Sequence, residues 1–138
     1  MAEAAQKTIQ FELVSPEERL ISEPVNMAVI PGTEGKFGVL AGHSALVATL
    51  KNGVVELQIE GQEPRRIFIA GGFADVTAEQ CSVLAEEAIN VSDLNKAELE
   101  QQAANLQQDL DLSKEAADIA RVEKKIALVN AKLDAIAA

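Results

Sequence analysis

The chain has 138 residues, 12 Lys and Arg against 22 Asp and Glu for a formal charge of −10, and is 48% hydrophobic, so it can bury one modest core. The acidic excess excludes a nucleic-acid surface, which needs clustered Lys and Arg, and excludes simple adhesion to anionic lipid. Cys81 and His43 are single, so there is no internal disulfide and no Cys/His set for a metal. Residues 1–7 have neither the basic start nor the apolar stretch of a signal peptide, and no run approaches the roughly 20 apolar residues that span a bilayer. The expectation is a folded cytoplasmic protein that does not insert into the membrane.

Every glycine and proline, and all four phenylalanines, lie before residue 74, while from Ala97 onward the chain is rich in Ala, Leu, Glu, Gln and Lys, all good helix formers. Two domains are expected, 1–90 and 91–138, with no low-complexity linker between them. In the first, Ile9, Phe11 and Leu13 alternate with polar Gln10 and Glu12. Val25, Met27 and Val29 alternate with Asn26 and Ala28, and Val55, Leu57 and Ile59 with Glu56, Gln58 and Glu60. A period of two puts one sheet face in the core and the other in water. Asn52-Gly53, between apolar stretches 46–50 and 54–59, predicts a tight hairpin. Further short strands are expected at 66–70, 73–77 and 82–85, with the turn spacing of an antiparallel sandwich or barrel.

The second domain predicts two helices. Asn95 with Glu98 has the form of a capping box, and Leu99, Ala103, Leu106 and Leu110 make one apolar stripe. Ser113 is placed to end the first helix and to cap the second. There Ile119, Val122, Ile126, Val129, Leu133 and Ile136 follow at alternating steps of 3 and 4, an unbroken seam. Residues 92–112 carry one Lys and five acids, whereas 113–138 carry five bases and four acids, so the helices can pair without like-charge repulsion. An antiparallel hairpin follows from the short connection.

Two motifs suggest enzymes, and both fail on chemistry. Gly32-Thr33-Glu34-Gly35-Lys36-Phe37 has two residues between its glycines where a phosphate-binding loop has four, and Phe37 where a hydroxyl should hold magnesium. Gly42-His43-Ser44-Ala45-Leu46 lacks the closing glycine of a nucleophile elbow, and the lone His43 is adjacent to Ser44, where an extended chain points it the other way. Cys81, in an apolar segment without basic neighbours, reads as an inert core thiol, and Glu86-Glu87 as a solvated edge.

Taken together, residues 32–46, then Leu50-Lys51-Asn52-Gly53-Val54-Val55, then Gly71-Gly72-Phe73-Ala74-Asp75-Val76 and Val83-Leu84-Ala85-Glu86-Glu87-Ala88 make a framework that resembles the epsilon subunit of the F-type ATP synthase, the bacterial counterpart of the mitochondrial delta subunit. The match runs from Thr8 to about Leu94. It implies a flattened ten-stranded antiparallel β-sandwich followed by a two-helix antiparallel hairpin. It also implies a non-catalytic central-stalk (rotor) subunit, with no cofactor and no metal, peripheral to the cytoplasmic side of the inner (plasma) membrane. Its implied partners are the gamma subunit and the c-ring, and the alpha/beta catalytic head for the C-terminal helices, whose seam would modulate ATP hydrolysis. By position, Thr33, Glu34, Gly35, Lys36, His43 and Ser44 are the implied c-ring contacts, Lys36 standing where other members can carry an acid. The nucleotide motif some members carry on the first helix is broken here at Asn95, Glu98 and Leu99, and a carboxylate at Glu98 would repel phosphate, so no nucleotide is expected. The competing reading is a free-standing adaptor or holdase, with the sandwich as platform and the hairpin as grip. The glycine framework argues against it.

Overall fold

The structure, a computed structural model, describes residues 7–137. The segment 1–6, which the signal-peptide reading concerns, lies outside the described residues. The chain divides into two compact units, the first ending at Asn90 and the second beginning at Val91.

The first unit holds ten strands: β1 (Ile9–Val14), β2 (Arg19–Val25), β3 (Met27–Gly32), β4 (Gly35–Val39), β5 (Leu46–Leu50), β6 (Gly53–Gln58), β7 (Arg65–Ile69), β8 (Gly72–Val76), β9 (Gln80–Leu84) and β10 (Ala88–Asn90). They form one hydrogen-bonded path, β10-β7-β6-β3-β5-β8-β9-β1-β2, with β4 on β3. β3 and β5 share a single register pair, Gly32 with Leu50, the shortest pairing on the path. The pairs are antiparallel except β1 with β9, which runs parallel from Gln10 opposite Gln80 to Val14 opposite Leu84. These two strands are joined by most of the sandwich rather than by a hairpin, which is what a parallel pair requires.

The inward residues are those the alternation selects: Ile9, Phe11 and Leu13 on β1, Val55 and Leu57 on β6, Ala74 and Val76 on β8, Cys81 and Val83 on β9, all sealed from water. Each fully buried aliphatic or aromatic side chain here contributes about 1.5–3 kcal/mol. β7 is different, because Ile67, Phe68 and Ile69 are all buried, so its apolar run does not alternate. Across the open side of the sandwich, between β2 and β7, Arg65 donates to Glu23 at 2.6 Å. With both side chains over a third exposed, the pair contributes below about 1 kcal/mol.

The structure corrects two strand expectations. Residues 25–29 do not form one strand in the phase of Val25, Met27 and Val29. The chain bends at Asn26, whose amide donates to Gln58 O (2.8 Å) and whose Oδ1 accepts from Glu60 N (2.6 Å), and the phase resets so that Ala28 and Ile30 turn inward. Asn52-Gly53 is not a hairpin: β5 pairs with β8 and β3, and β6 with β3 and β7. Gly53 has no positive φ. Its lack of a side chain serves close packing, since a Cβ there would lie 2.9 Å from Pro31 Cβ.

The second unit opens with a 3-10 turn (Val91–Asp93), followed by α1 (Lys96–Leu112) and α2 (Ala116–Ala137). Asn95 caps α1, its Oδ1 accepting from Glu98 N at 3.1 Å. Gln101–Asn105 and Gln107–Asp111 hydrogen bonds support the exposed face at i, i+4 spacing. Leu99 is buried and Ala103, Leu106 and Leu110 are half-buried, while on α2 Val122 and Val129 are buried and Ile119, Ile126, Leu133 and Ile136 half-buried. Both stripes therefore do the packing. Ser113 ends α1 but does not cap α2, because its hydroxyl is spent on Asp109 O at 2.7 Å and its amide on Leu110 O at 3.1 Å.

Candidate interaction surfaces

The sheet layer β5-β8-β9-β1-β2 has one face in the core and the other in solvent. Register across it defines two lines of outward side chains. One runs Thr49, Phe73, Leu84, Val14 and ends at Arg19, and the second runs Val47, Asp75, Ser82, Glu12, Ser22. Phe73 is 56% exposed, Leu84 49% and Val47 72%, three of the few large apolar side chains the chain leaves in water. Grouped on one sheet face, they form the kind of patch that marks a protein contact. Sequence reading did not select them. The available signal was that Val47 and Phe73 hold the outward phase of strands whose inward phase was already apolar.

Gly72 holds this face in shape. It has φ +122°, and a Cβ there would lie 1.9 Å from Leu84 O. No other residue fits the start of β8 that close to the end of β9, which explains the second glycine of the Gly71-Gly72 pair.

Of the six residues implied as ring contacts, the structure brings four together. Thr33 and Glu34 are the exposed tip of the β3–β4 hairpin, with Gly35 and Lys36 exposed beside them. Thr33 N donates to Thr49 O and Lys51 N to Pro31 O, so the tip sits at the Leu50 end of β5, with Lys36 and Lys51 flanking Pro31. His43 and Ser44 lie at the other end of β5, a strand spanning about 13 Å, where Gly42 N donates to Ala78 O and joins them to the β8–β9 turn. His43 is half-buried, its Nδ1 2.7 Å from Ser44 O and its amide donating to Leu40 O. Among the described residues its ring meets only the Ser44 backbone carbonyl and no acidic or basic side chain.

The other sequence candidates are also placed. Asn95 is a helix cap, Leu99 is buried in the α1 stripe, and Glu98 is exposed. Cys81 is sealed in the sandwich core, and burial, with Asp75 nearby, pushes its thiol up to about 12, far from the range of a reactive thiolate. Glu86 is exposed and Glu87 half-buried. No helix among the described residues is long and apolar enough to cross a membrane.

An exposed apolar line on a sandwich and a polar tip at one end, with no catalytic cluster among the described residues, are features of the class of docking subunits. The family model described as "ATP synthase, Delta/Epsilon chain, beta-sandwich domain" matches residues 8–91. The chain belongs to the ATP synthase delta/epsilon chain family, as a structural and regulatory member rather than the catalytic one. It is 42% identical over 134 residues to the ATP synthase epsilon chain of Rhodospirillum centenum, covering 94% of this chain and 92% of that one. It is 48% identical over 110 residues to that of Rhodospirillum rubrum, covering 80% of each. Among solved structures, a chain in the Euglena gracilis mitochondrial ATP synthase, OSCP/F1/c-ring in rotational state 1, superimposes with a TM-score of 0.81 at 27% identity, over 91% of this chain and 79% of that one. A chain of the Tetrahymena thermophila mitochondrial ATP synthase central stalk/c-ring shares the fold with a TM-score of 0.63 at 10% identity, over 95% of this chain and 98% of that one.

Proposed function

We propose that the chain is the central-stalk subunit that grips the gamma subunit with the β5-β8-β9-β1 face and meets the polar loops of the c-ring with the tip at Thr33, Glu34, Gly35 and Lys36, so that ring rotation turns the shaft. The observation that carries this is the line Phe73, Leu84 with Val47 beside it, exposed on a sheet whose other face already fills the core. The adaptor reading offers no reason for the family's glycine framework, and is not favoured. His43 and Ser44, at the far end of β5, are proposed as a second point of contact with the same ring loops. The working position is peripheral, on the cytoplasmic side of the inner membrane, held there by partners.

The hairpin is the regulatory element. Residues 113–138 have five bases against four acids, little charge with which to hold an acidic catalytic head, so the hairpin stays mainly folded on itself and inhibits hydrolysis modestly. The test of the main reading is co-purification with a gamma subunit: Val47→Asp with Phe73→Asp and Leu84→Asp is expected to abolish it in a chain that keeps its circular dichroism. Tight binding by that folded triple variant overturns it.

A further inference from the structure

The two outward lines of the sandwich face differ in chemistry, and the difference specifies the partner. The line Phe73, Leu84, Val14 is apolar. The line beside it, two residues along each strand and hence about 7 Å away, carries Asp75 on β8 and Glu12 on β1, with Ser82 of β9 between them. The two carboxylates are therefore two strand spacings apart, about 10 Å. Neither forms an ion pair among the described residues. Glu12 accepts only a long contact from Ser22 Oγ at 3.5 Å, and Ser22 Oγ in turn takes Gln10 Nε2 at 3.1 Å. Asp75 is exposed, and its charge is felt by the buried Cys81 thiol on the neighbouring strand. The cation on these two lines, Arg19, stands at the rim, opposite Val14.

A partner that covers Phe73, Leu84 and Val47 must also cover Asp75, which is cross-strand from Val47, and must approach Glu12. Taking a carboxylate out of water without a counter-charge is costly, and pairing it across the interface offsets that cost. We infer that the gamma surface docked here is an apolar ridge flanked on one side by two basic side chains about 10 Å apart, set to meet Asp75 and Glu12. This inference rests on the docking face proposed above and adds the charge pattern that would make it selective. It excludes an anionic lipid surface as the occupant, which the same carboxylates would repel. In a chain of net charge −10, a basic flank would also steer the encounter, so association would slow as salt screens it.

The test measures association of the full chain with the gamma subunit at low and high salt, for the parent, for Asp75→Asn with Glu12→Gln, for Asp75→Lys with Glu12→Lys, and for Val47→Asp with Phe73→Asp. Circular dichroism checks the fold of each, and the near-isosteric Asn and Gln variants stand in if the lysines disturb it. The expected result is about a tenfold weakening for the neutral pair, more for the reversed pair, and a flattened salt dependence in both. Unchanged affinity and unchanged salt dependence in the charge variants, with the apolar variant still abolishing binding, would overturn the inference and leave the docking face intact. If the apolar variant also binds like the parent, the docking face itself is wrong and the charge pattern falls with it.

Discussion

The sandwich and the helical hairpin solve the same problem, hiding apolar side chains, by opposite means. The sandwich joins residues far apart in sequence: β1 lies on β9, β5 on β8, β3 on β6, and the side chains between the layers reach zero exposure at Ile9, Phe11, Val55, Leu57 and Val76. The hairpin joins residues near in sequence through two stripes, and its buried positions, Leu99, Val122, Val129 and Ala135, keep 4–7% of their surface. Non-local pairing makes the first a cooperative platform, since no strand can leave without breaking register for its neighbours. Local pairing makes the second an element that can open without unfolding the rest. The proposed function, a fixed grip beside a movable regulator, calls for those two kinds of stability.

That contrast can be broken most sharply at Gly72. Substituting Val there sets a Cβ 1.9 Å from Leu84 O and forces a β-branched residue to φ +122°, so the expectation is loss of the cooperative thermal transition rather than a shift in it. A folded Gly72→Val chain would mean the β8–β9 junction can move, and the platform description would fail. Next in size are truncations of matched chemistry. Leu57→Ala, at a sealed position, is expected to cost about 2–5 kcal/mol by denaturant titration. Leu133→Ala, at a half-buried seam position, is expected to cost clearly less and to appear as faster hydrogen exchange confined to α1 and α2. Equal costs would erase the distinction between the units.

How much of each unit could be read beforehand follows the same division. The helices were legible because their determinants are local: the 3–4 spacing of the seam and the Asn95 cap each sit within one turn. Ser113 was misread because it stands where it can serve either helix, and only the geometry decides that its hydroxyl goes back to Asp109 O. In the sandwich the alternation of β1 and β6 was legible, but the phase of β3 was not, because Ala28 and Val29 are both apolar and the reset depends on Asn26 bonding to a strand more than thirty residues away. Asn52-Gly53 carries a hairpin signature, yet the glycine answers to Pro31, a tertiary reason that local turn chemistry does not contain. The exposed apolar face was hidden for a related reason: Phe73 and Leu84 look like core residues until register places them outward.

The core thiol gives the platform a pH signature. Cys81 is raised from 9.0 to about 12, by burial first and by Asp75 second. Above pH 9 the unfolded chain releases this proton while the folded chain keeps it, so the unfolded state binds fewer protons and stability falls as pH rises. The contribution is complete below pH 9 and is lost between pH 9 and 12. The native chain is accordingly expected to resist alkylation at pH 8.5 and to be modified only as fast as it unfolds. Rapid labelling of native protein would show that the layer around Cys81 opens locally.

The smallest expected effect is at the junction where the helices begin. Asn95 Oδ1 accepts from Glu98 N, and removing it in Asn95→Ala is expected to cost about 1 kcal/mol. Asn95→Asp keeps the acceptor and places a negative charge at the positive end of the α1 dipole, an expected gain of a few tenths of a kcal/mol at low salt, partly offset by the neighbouring acid Glu98. Both effects should register in hydrogen exchange of the first turn of α1 and leave the exchange of β1, β8 and β9 untouched, because the cap supports only the local unit. If Asn95→Ala instead lowers protection across the sandwich strands, the cap is holding the platform as well, and the two units are not independent in stability.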